Sequence, residues 1–460
     1  MDTLMNTFID TDILPRVIQE HIQAKRWKEL SNKDLNWPEP DTIAPALVDV
    51  LINLDKADQV LMFRALPKPM AAEVFAYLER DSRDTLLSAL TDQETRGLLA
   101  ELSPDDRAQF LGELPGQVTQ RLLNFLSPGD LREVRQLLGY PEESVGRLMT
   151  PDYIAVRPEW TIAKALEHIR RRGRDSETVD IIYVHDKTWH LLDALPLKRF
   201  ILADPQDSVA SIMDKSFVSL SAYDDREEAV RLVQRYDRVA LPVVDSNGIL
   251  IGIVTVDDIF DVAEQEATED FHQAAAVSPL KTNYSQASPW ALYRSRIGWL
   301  SMLIIVNLMS SGIIENFEDV LASSVAVAFF IPLIIDTGGN TGSQSATLMI
   351  RAISTGDVRM NQWFRVFVKE ILMGGLIGAT LGLMGLGLGW FRGGIELGLV
   401  IFITMVIMLM LTNLIGVALP FVLTRLKLDP AIASGPVLTS IADAVGLIVY
   451  FTVAQYVLQL

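Results

Sequence analysis

Three groups of residues in this 460-residue chain have the types and spacing to bind or pass a cation. The first is Asp443, a lone carboxylate inside a long apolar run. Counted from Pro430 it lies thirteen residues along a helix, roughly 20 Å at 1.5 Å per residue. A carboxylate in hydrocarbon costs about 2.5–3.5 kcal/mol on insertion scales, so it must face a pathway or a partner. No basic residue occupies a mid-span position that would pair with it. Pro436, Thr439, Ser440, Asp443 and Gly446 fall on one helical stripe opposite Leu438, Ile441 and Leu447–Val449, and that stripe reads as pore-lining. Asn413, Gly416 and Pro420 make a similar small, polar stripe upstream.

The second group is the stretch from Pro332 to Gln344, PLIIDTGGNTGSQ. It has the glycines of a phosphate loop but no Lys at the required place. Within lipid, Pro332 and its glycines predict a broken helix, whose freed carbonyls survive only where buried or lining a watery cavity. Asp336 and Asn340 would add side-chain oxygens there, and Gly339 its backbone. The alternative is a Gly-rich kink used for packing.

The third group is acidic. Asp257, Asp258, Asp261, Glu264, Glu266, Glu269 and Asp270 stand together with no base among them. No Gly or Pro interrupts the run, so it predicts a helix in which like charges repel by about 0.2–0.5 kcal/mol per pair. Such a run is either a solvated face or a helix operated by divalent cations that relieve the repulsion. The five histidines (His21, His168, His185, His190, His272) lie outside the apolar segments and there is no cysteine. A membrane site would therefore be oxygen-only, which suits Mg2+, Ca2+ or Mn2+. So few carboxylates favour Mg2+, which keeps several waters.

The surroundings of these groups divide sharply. Of 40 basic and 58 acidic residues, nine of each fall after residue 289, so the entire net charge of −18 belongs to the first 289 residues. Such a region repels nucleic acid and attracts cations. Five apolar segments, 292–313, 320–350, 363–390, 396–424 and 431–459, are long enough to span a bilayer. The opening residues lack the basic and apolar regions of a signal peptide, so the N-terminal region is expected in the cytoplasm. One set of flanks holds Lys281, Arg294, Arg296, Arg351, Arg359, Arg365, Lys369, Arg425 and Lys427, and the other only Arg392. The asymmetry predicts N-in, C-out topology. Gly374, Gly378 and Gly382 form a small-residue ridge for helix packing, either at a dimer contact or within one protomer.

Ahead of the membrane segments, residues 1–40 read as an amphipathic helix and a loop. Leu54, Leu66, Leu78, Leu90, Leu102, Leu114, Leu126 and Leu138 then recur every twelve residues. Several precede helix starters such as Pro67, Thr91, Ser103-Pro104, Pro115 and Ser127-Pro128, so a superhelix of short helices is expected. From 142 to 262 short β runs alternate with helices, twice, with a hairpin turn at Asp245-Ser246-Asn247-Gly248. This tandem resembles a CBS pair, an adenine-nucleotide-sensing module, and that likeness implies a ribose site at Gly252, Thr255 and Asp258. Thr255 and Asp258 also fit a variant capping box. The first copy, Leu191 to Phe200, lacks the motif.

In order and content the whole chain resembles the MgtE-type magnesium channels. The most specific matches are Pro332 with Gly339-Asn340, the segment Glu266–His272, and Leu428-Asp429-Pro430 leading to Asp443–Leu447. The resemblance implies a multidomain α-helical membrane protein: an acidic superhelical N domain (1–140), CBS domains (141–204 and 205–256), an acidic plug helix (257–280) and a five-span pore domain (290–460). It implies a homodimer in the cell membrane, with hydrated Mg2+ held between two copies of Asp443. Gly435 stands at a pore position where some relatives carry Asn, and Asp429 matches a carboxylate at the cytosolic mouth that meets the plug. Intracellular Mg2+ would bridge the cytosolic acids and close the pore, with ATP as a candidate ligand of the CBS pair. No nucleophile–base constellation or Walker motif points to an enzyme. An ion-coupled secondary transporter and a nucleotide-sensing membrane regulator without transport stay open as alternatives.

Overall fold

The computed structural model describes residues 37–278, 280, 284, 287–426, 428–432 and 435–459. The expected N-terminal amphipathic helix and the flanking residues Lys281 and Lys427 lie outside the described residues, as does His21. The chain forms two compact units, Met1–Glu264 and Gln265–Leu460.

In the first unit the twelve-residue leucine period becomes a run of short helices: α1 (Pro40–Ile52), α2 (Lys56–Ala65), α3 (Lys68–Tyr77), α4 (Arg80–Ala89), α5 (Asp92–Glu101), α6 (Pro104–Glu113), α7 (Gly116–Leu123) and α8 (Pro128–Leu137). Leu66, Leu78, Leu90, Leu102, Leu114 and Leu138 each stand at a helix C-cap, with side chains turned into one shared core. New helices begin where side-chain oxygens satisfy free N–H groups. Asp55 accepts from Asp58, Thr91 forms a capping box with Glu94, Ser103 accepts from Asp106 and Ser127 from Asp130.

The CBS region opens with α9 (Val145–Leu148) and holds two copies of one three-stranded motif. The first comprises β1 (Ala155–Val156), α10 (Ile162–Arg172), β2 (Ile181–His185), β3 (Leu191–Pro196), α11 (Leu197–Leu202) and α12 (Val209–Ile212). The second comprises β4 (Leu220–Ser221), α13 (Arg226–Tyr236), β5 (Ala240–Val244), β6 (Leu250–Thr255) and the start of α14 (Val256–Ala274). In each, the first strand runs parallel to the second and the second antiparallel to the third, with the register shift at matching places. The first copy is therefore as fully built as the second, although its sequence signal is weaker. Bridges Thr150↔Ile253 and His190↔Ile249 sew the copies together. Gly248 at φ +78° closes the Asp245 turn, where the Asp245 carboxylate accepts from the amides of Asn247 and Ile249. Helix α14 begins at Val256, one residue before its acidic run.

The second unit contains α15 (Pro289–Asn316), α16 (Glu318–Ser323), α17 (Val325–Ala328), α18 (Ile331–Ser354), α19 (Trp363–Arg425) and α20 (Gly435–Leu458). Two expectations change here. The Gly-rich stretch does not break its helix: α18 is continuous from Ile331 to Ser354, with Pro332 in its first turn, where no N–H is needed. The interruption lies earlier, at Phe329–Phe330. The glycines instead admit neighbours. A Cβ at Gly338 would lie 1.7 Å from Met408 Cε, and one at Gly339 2.7 Å from Thr439 Cγ2.

The third and fourth apolar segments form one helical run of 63 residues, α19. Such a helix would reach roughly 95 Å if straight, far beyond a hydrocarbon core of about 30 Å. It reverses at Gly393 and Gly394, the latter at φ +88°, a conformation that glycine adopts without strain. The two arms then pack antiparallel. Gly374 faces Leu409 and Met410, Gly378 faces Met405 and Val406, Gly382 faces Phe402, Gly385 faces Ile401 and Gly389 faces Gly398. The small-residue ridge thus packs within one protomer. At Gly378 a Cβ would lie 2.7 Å from Val406 Cα and 2.9 Å from the Met405 carbonyl oxygen, so backbone would have to move. We expect Gly378→Val to destabilise the helical unit by about 1–3 kcal/mol, as overpacking does. Gly387→Ala, with nothing near its Cβ, should leave it unchanged. Thermal unfolding in detergent, read by far-UV circular dichroism, checks both; equal melting of the two variants would refute the hairpin packing.

Candidate functional site

The acidic residues that carry chemistry gather in two places. In the helical unit α18 and α20 run antiparallel, with Ile334 beside Gly446, Gly339 beside Thr439 and Ser343 beside Gly435. Ser343 Oγ donates to the Gly435 carbonyl at 3.3 Å. This register brings Asp336 alongside Asp443, and Asp336 is the charge that bears on Asp443. Asp443 is half-buried, and its Oδ1 is shut from solvent with no hydrogen-bond partner. A carboxylate oxygen left so in an apolar bundle carries a large desolvation cost unless a cation or water meets it. Because α20 begins at Gly435, Asp443 lies only about 12 Å along the helix, closer to its N-terminus than a count from Pro430 implies.

Asp336, Asn340 and Gln344 recur at helical spacing on α18 and are all exposed in the single chain. A polar stripe of this kind cannot face lipid. Gly435 offers its carbonyl, and Thr439 its hydroxyl beside Gly339. Among the described residues no three His, Cys, Asp or Glu side chains converge to hold a metal ion.

At the end of α14, burial and the adjacent Asp429 push the Asp270 carboxyl above the usual range, with Glu269 adding to the effect and Arg351 opposing it. Asp429 itself caps the turn Pro430–Ile432 by accepting from the Ala431 amide at 2.8 Å. The structure therefore brings Asp270 and Asp429 together. Glu269 is occupied by Gln273, whose Nε2 donates to it at 3.1 Å.

The second gathering lies in the first unit. Asp105 and Asp106 on α6 meet the first turns of α14 beside a small cavity lined by Arg83, Asp106, Asp258 and Asp261 among others. Asp105 is buried, and desolvation with the charge of Asp106 raises its carboxyl to about 7. Burial and the charges of Asp105, Asp257 and Asp106 raise Asp258 well above the usual range. Burial likewise raises Asp106, Asp152, Asp261 and Glu177, and for Glu177 the charges of Asp105, Asp257, Asp106 and Asp152 add to it. Sequence reasoning found Asp257, Asp258 and Asp261 but missed Asp105, Asp106, Asp152 and Glu177. Asp105 and Asp106 follow a Ser-Pro helix start, where acids are commonplace, and nothing local marks the other two. Asp257 and Glu264 are exposed and Glu266 half-buried.

The nucleotide candidates are engaged within the protein. A Cβ at Gly252 would meet Met149 Sδ at 2.8 Å and the Thr150 carbonyl at 3.0 Å. Thr255 is buried and its hydroxyl donates to Asp258 Oδ2 at 3.1 Å.

Against known proteins, the MgtE family model, described as a divalent cation transporter, matches residues 331–453. The model of the MgtE intracellular N domain matches 44–143, and the CBS domain matches 145–190 and 209–264. The magnesium transporter MgtE of Thermus thermophilus is 44% identical over 327 residues, 71% of this chain and 73% of that protein. That of Bacillus subtilis is 35% identical over 325 residues, 70% of this chain and 71% of that one. A crystal structure described as the soluble part of a magnesium transporter is 25% identical with a TM-score of 0.51, covering 56% of this chain and 100% of its own.

The crowded carboxylates set a pH dependence. Asp105 titrates near 3.8 when unfolded and about 7 when folded, so the folded state holds a proton that the unfolded one has lost. Its contribution is full below about pH 4 and disappears as pH rises through about 7. In a chelator, unfolding of the cytosolic unit within the full chain should move to lower temperature between about pH 6 and pH 8. Asp105→Asn should flatten that slope; an equal slope in the variant would show that the crowding lies elsewhere.

Proposed function

Because this chain belongs to the MgtE family of magnesium transporters, we propose that it conducts Mg2+ through a pore formed where two copies meet at α18 and α20. The observation that carries this reading is the pair Asp336 and Asp443 with its exposed polar stripe and the unpartnered Asp443 Oδ1. A membrane helix cannot present such a face to hydrocarbon. A second copy, with water and a cation between, covers it. Two facing carboxylates repel unless a cation sits between them, and a hydrated Mg2+ needs few protein ligands because it retains several waters. Asn340, Thr439 and the Gly339 and Gly435 backbone would then contact those waters rather than the ion.

With the reversal at Gly393–Gly394 the apolar helices make five crossings, the N-terminal domains on the cytoplasmic side of the cell membrane and the C-terminus outside, as the distribution of basic flanks favours. The cytosolic acids act as the sensor. Mg2+ bridging Asp257, Asp258, Asp261 and their neighbours, and Glu264, Glu266, Glu269 and Asp270 toward Asp429, would offset the repulsion that otherwise opposes the compact arrangement. When internal Mg2+ falls, that repulsion favours opening. ATP at Gly252, Thr255 and Asp258 requires Thr255 to exchange its present bond to Asp258, so nucleotide and cation would compete for the same carboxylate.

Asp443→Asn should lower Mg2+ uptake about tenfold or more in cells lacking other importers, with the protein still in the membrane. Normal uptake would exclude the pore assignment. Replacing Glu266, Glu269 and Asp270 with their amides should raise conductance at high internal Mg2+ in patch recordings; retained inhibition would remove the plug from the mechanism. Unitary currents in those recordings also separate a channel from a gradient-coupled exchanger.

A further inference from the structure

Glu370 lies seven residues into the first arm of α19, between the two neighbouring helical segments. Its Oε2 accepts from Ser345 Oγ of α18 at 3.3 Å and from Asn413 Nδ2 of the second arm at 3.5 Å. Both contacts are long and come from neutral donors. Among the described residues no Lys, Arg or His pairs with it, and its neighbour Lys369 is exposed. Asn413 is only 2% exposed, and its Oδ1 has no hydrogen-bond partner. The half-buried Glu370 carboxylate thus meets the amide nitrogen of Asn413, whose oxygen is left unanswered, and among the described residues no positive charge stands beside them. A carboxylate so placed is costly unless an ion, a proton or water meets it.

This cluster is separate from the pore face. Ser343 touches Gly435 of α20, whereas Ser345 meets Glu370. Two residues apart on a helix means about 200° around it, so α18 carries the Asp336–Asp443 face on one side and this cluster on its back. The backbone is tight here: a Cβ at Gly416 would lie 2.4 Å from the Gly342 carbonyl oxygen. The three side chains are held by three packed segments rather than by a loop.

We propose that Glu370, Asn413 and Ser345 bind one sodium ion in each protomer, apart from the Mg2+ path. One carboxylate matches one positive charge. The separation of 3.3 Å between Ser345 Oγ and Glu370 Oε2 exceeds the oxygen–oxygen edge of about 2.9 Å expected around Mg2+ at 2.0–2.1 Å, and suits a larger ion with longer bonds. Asn413 turns its orphaned oxygen to the ion, and Ser345 its lone pairs. The bound cation then ties α18 to the α19 hairpin from behind, opposite the face that lines the pore.

The test uses purified full-length protein in detergent, titrated with radioactive sodium in a scintillation proximity assay with choline holding ionic strength constant. Saturable binding near one ion per chain is expected, weakened about tenfold or more by Glu370→Gln and about threefold by Ser345→Ala. The serine variant removes a single oxygen and decides the matter if the glutamine variant does not fold. Asp443→Asn should bind sodium as the wild type does, even if its Mg2+ flux is lost, which separates this site from the pore reading. Absence of saturable binding in the wild type, or unchanged affinity in Ser345→Ala and Glu370→Gln, would overturn the proposal. Loss of binding in Asp443→Asn alone would also overturn it, by locating the ion in the pore.

Discussion

The membrane region depends on how few polar atoms an apolar bundle can hold and on what each must meet there. Every backbone N–H and C=O inside lipid is answered by its own helix, which leaves the acidic side chains as the groups without a built-in partner. Asp336 and Asp443 are both acids, and among the described residues no base stands between them. The geometry is stable only with something positive or wet beside it. On the proposed pore reading permeation would follow from that same deficiency: an ion that neutralised the pair through perfect coordination would not leave, whereas one that keeps its waters would be held by charge and released easily.

Glycine makes this possible by letting backbones touch. Along the α19 hairpin the partners of Gly374, Gly378, Gly382, Gly385 and Gly389 step steadily backwards through the second arm, which is how a run of 63 helical residues becomes two packed helices. On α18 the glycines do the same for neighbours on two sides, Met408 and Thr412 on one and Thr439 on the other. A helix gripped from both sides has little freedom to rotate, and the polar stripe at Asp336, Asn340 and Gln344 is fixed in direction.

Much of this was legible in the residues, and the errors have physical causes. The leucine period translated directly into helix ends, because Leu at each C-cap followed by a capping side chain is a local signal. Asp443 was legible because a charge in an apolar run is conspicuous. The Gly-rich segment misled because glycine both breaks helices and permits close packing. Its own sequence does not say which; the neighbours Met408, Thr412 and Thr439 decide. Asp105 and Asp106 were missed for the opposite reason: at a helix start they need no special explanation, and only the fold shows them pressed against α14. Glu370 met the same criterion as Asp443 but sits near basic flanks, which disguised it as part of a membrane edge.

The cytosolic acids and the membrane acids obey one rule with opposite consequences. In the first unit burial raises the carboxyls of Asp105, Asp106 and Asp258, with neighbouring acids adding to the effect, so the compact arrangement is stabilised by whatever neutralises that charge. Protons do this at low pH, and under the proposed mechanism divalent cations would do it at neutral pH. In the membrane the acids are few, so under the proposed mechanism neutralisation there would be transient. On that reading the chain would meet one ion twice: tightly enough at the crowded carboxylates to register its concentration, and loosely enough in the bilayer to let it through.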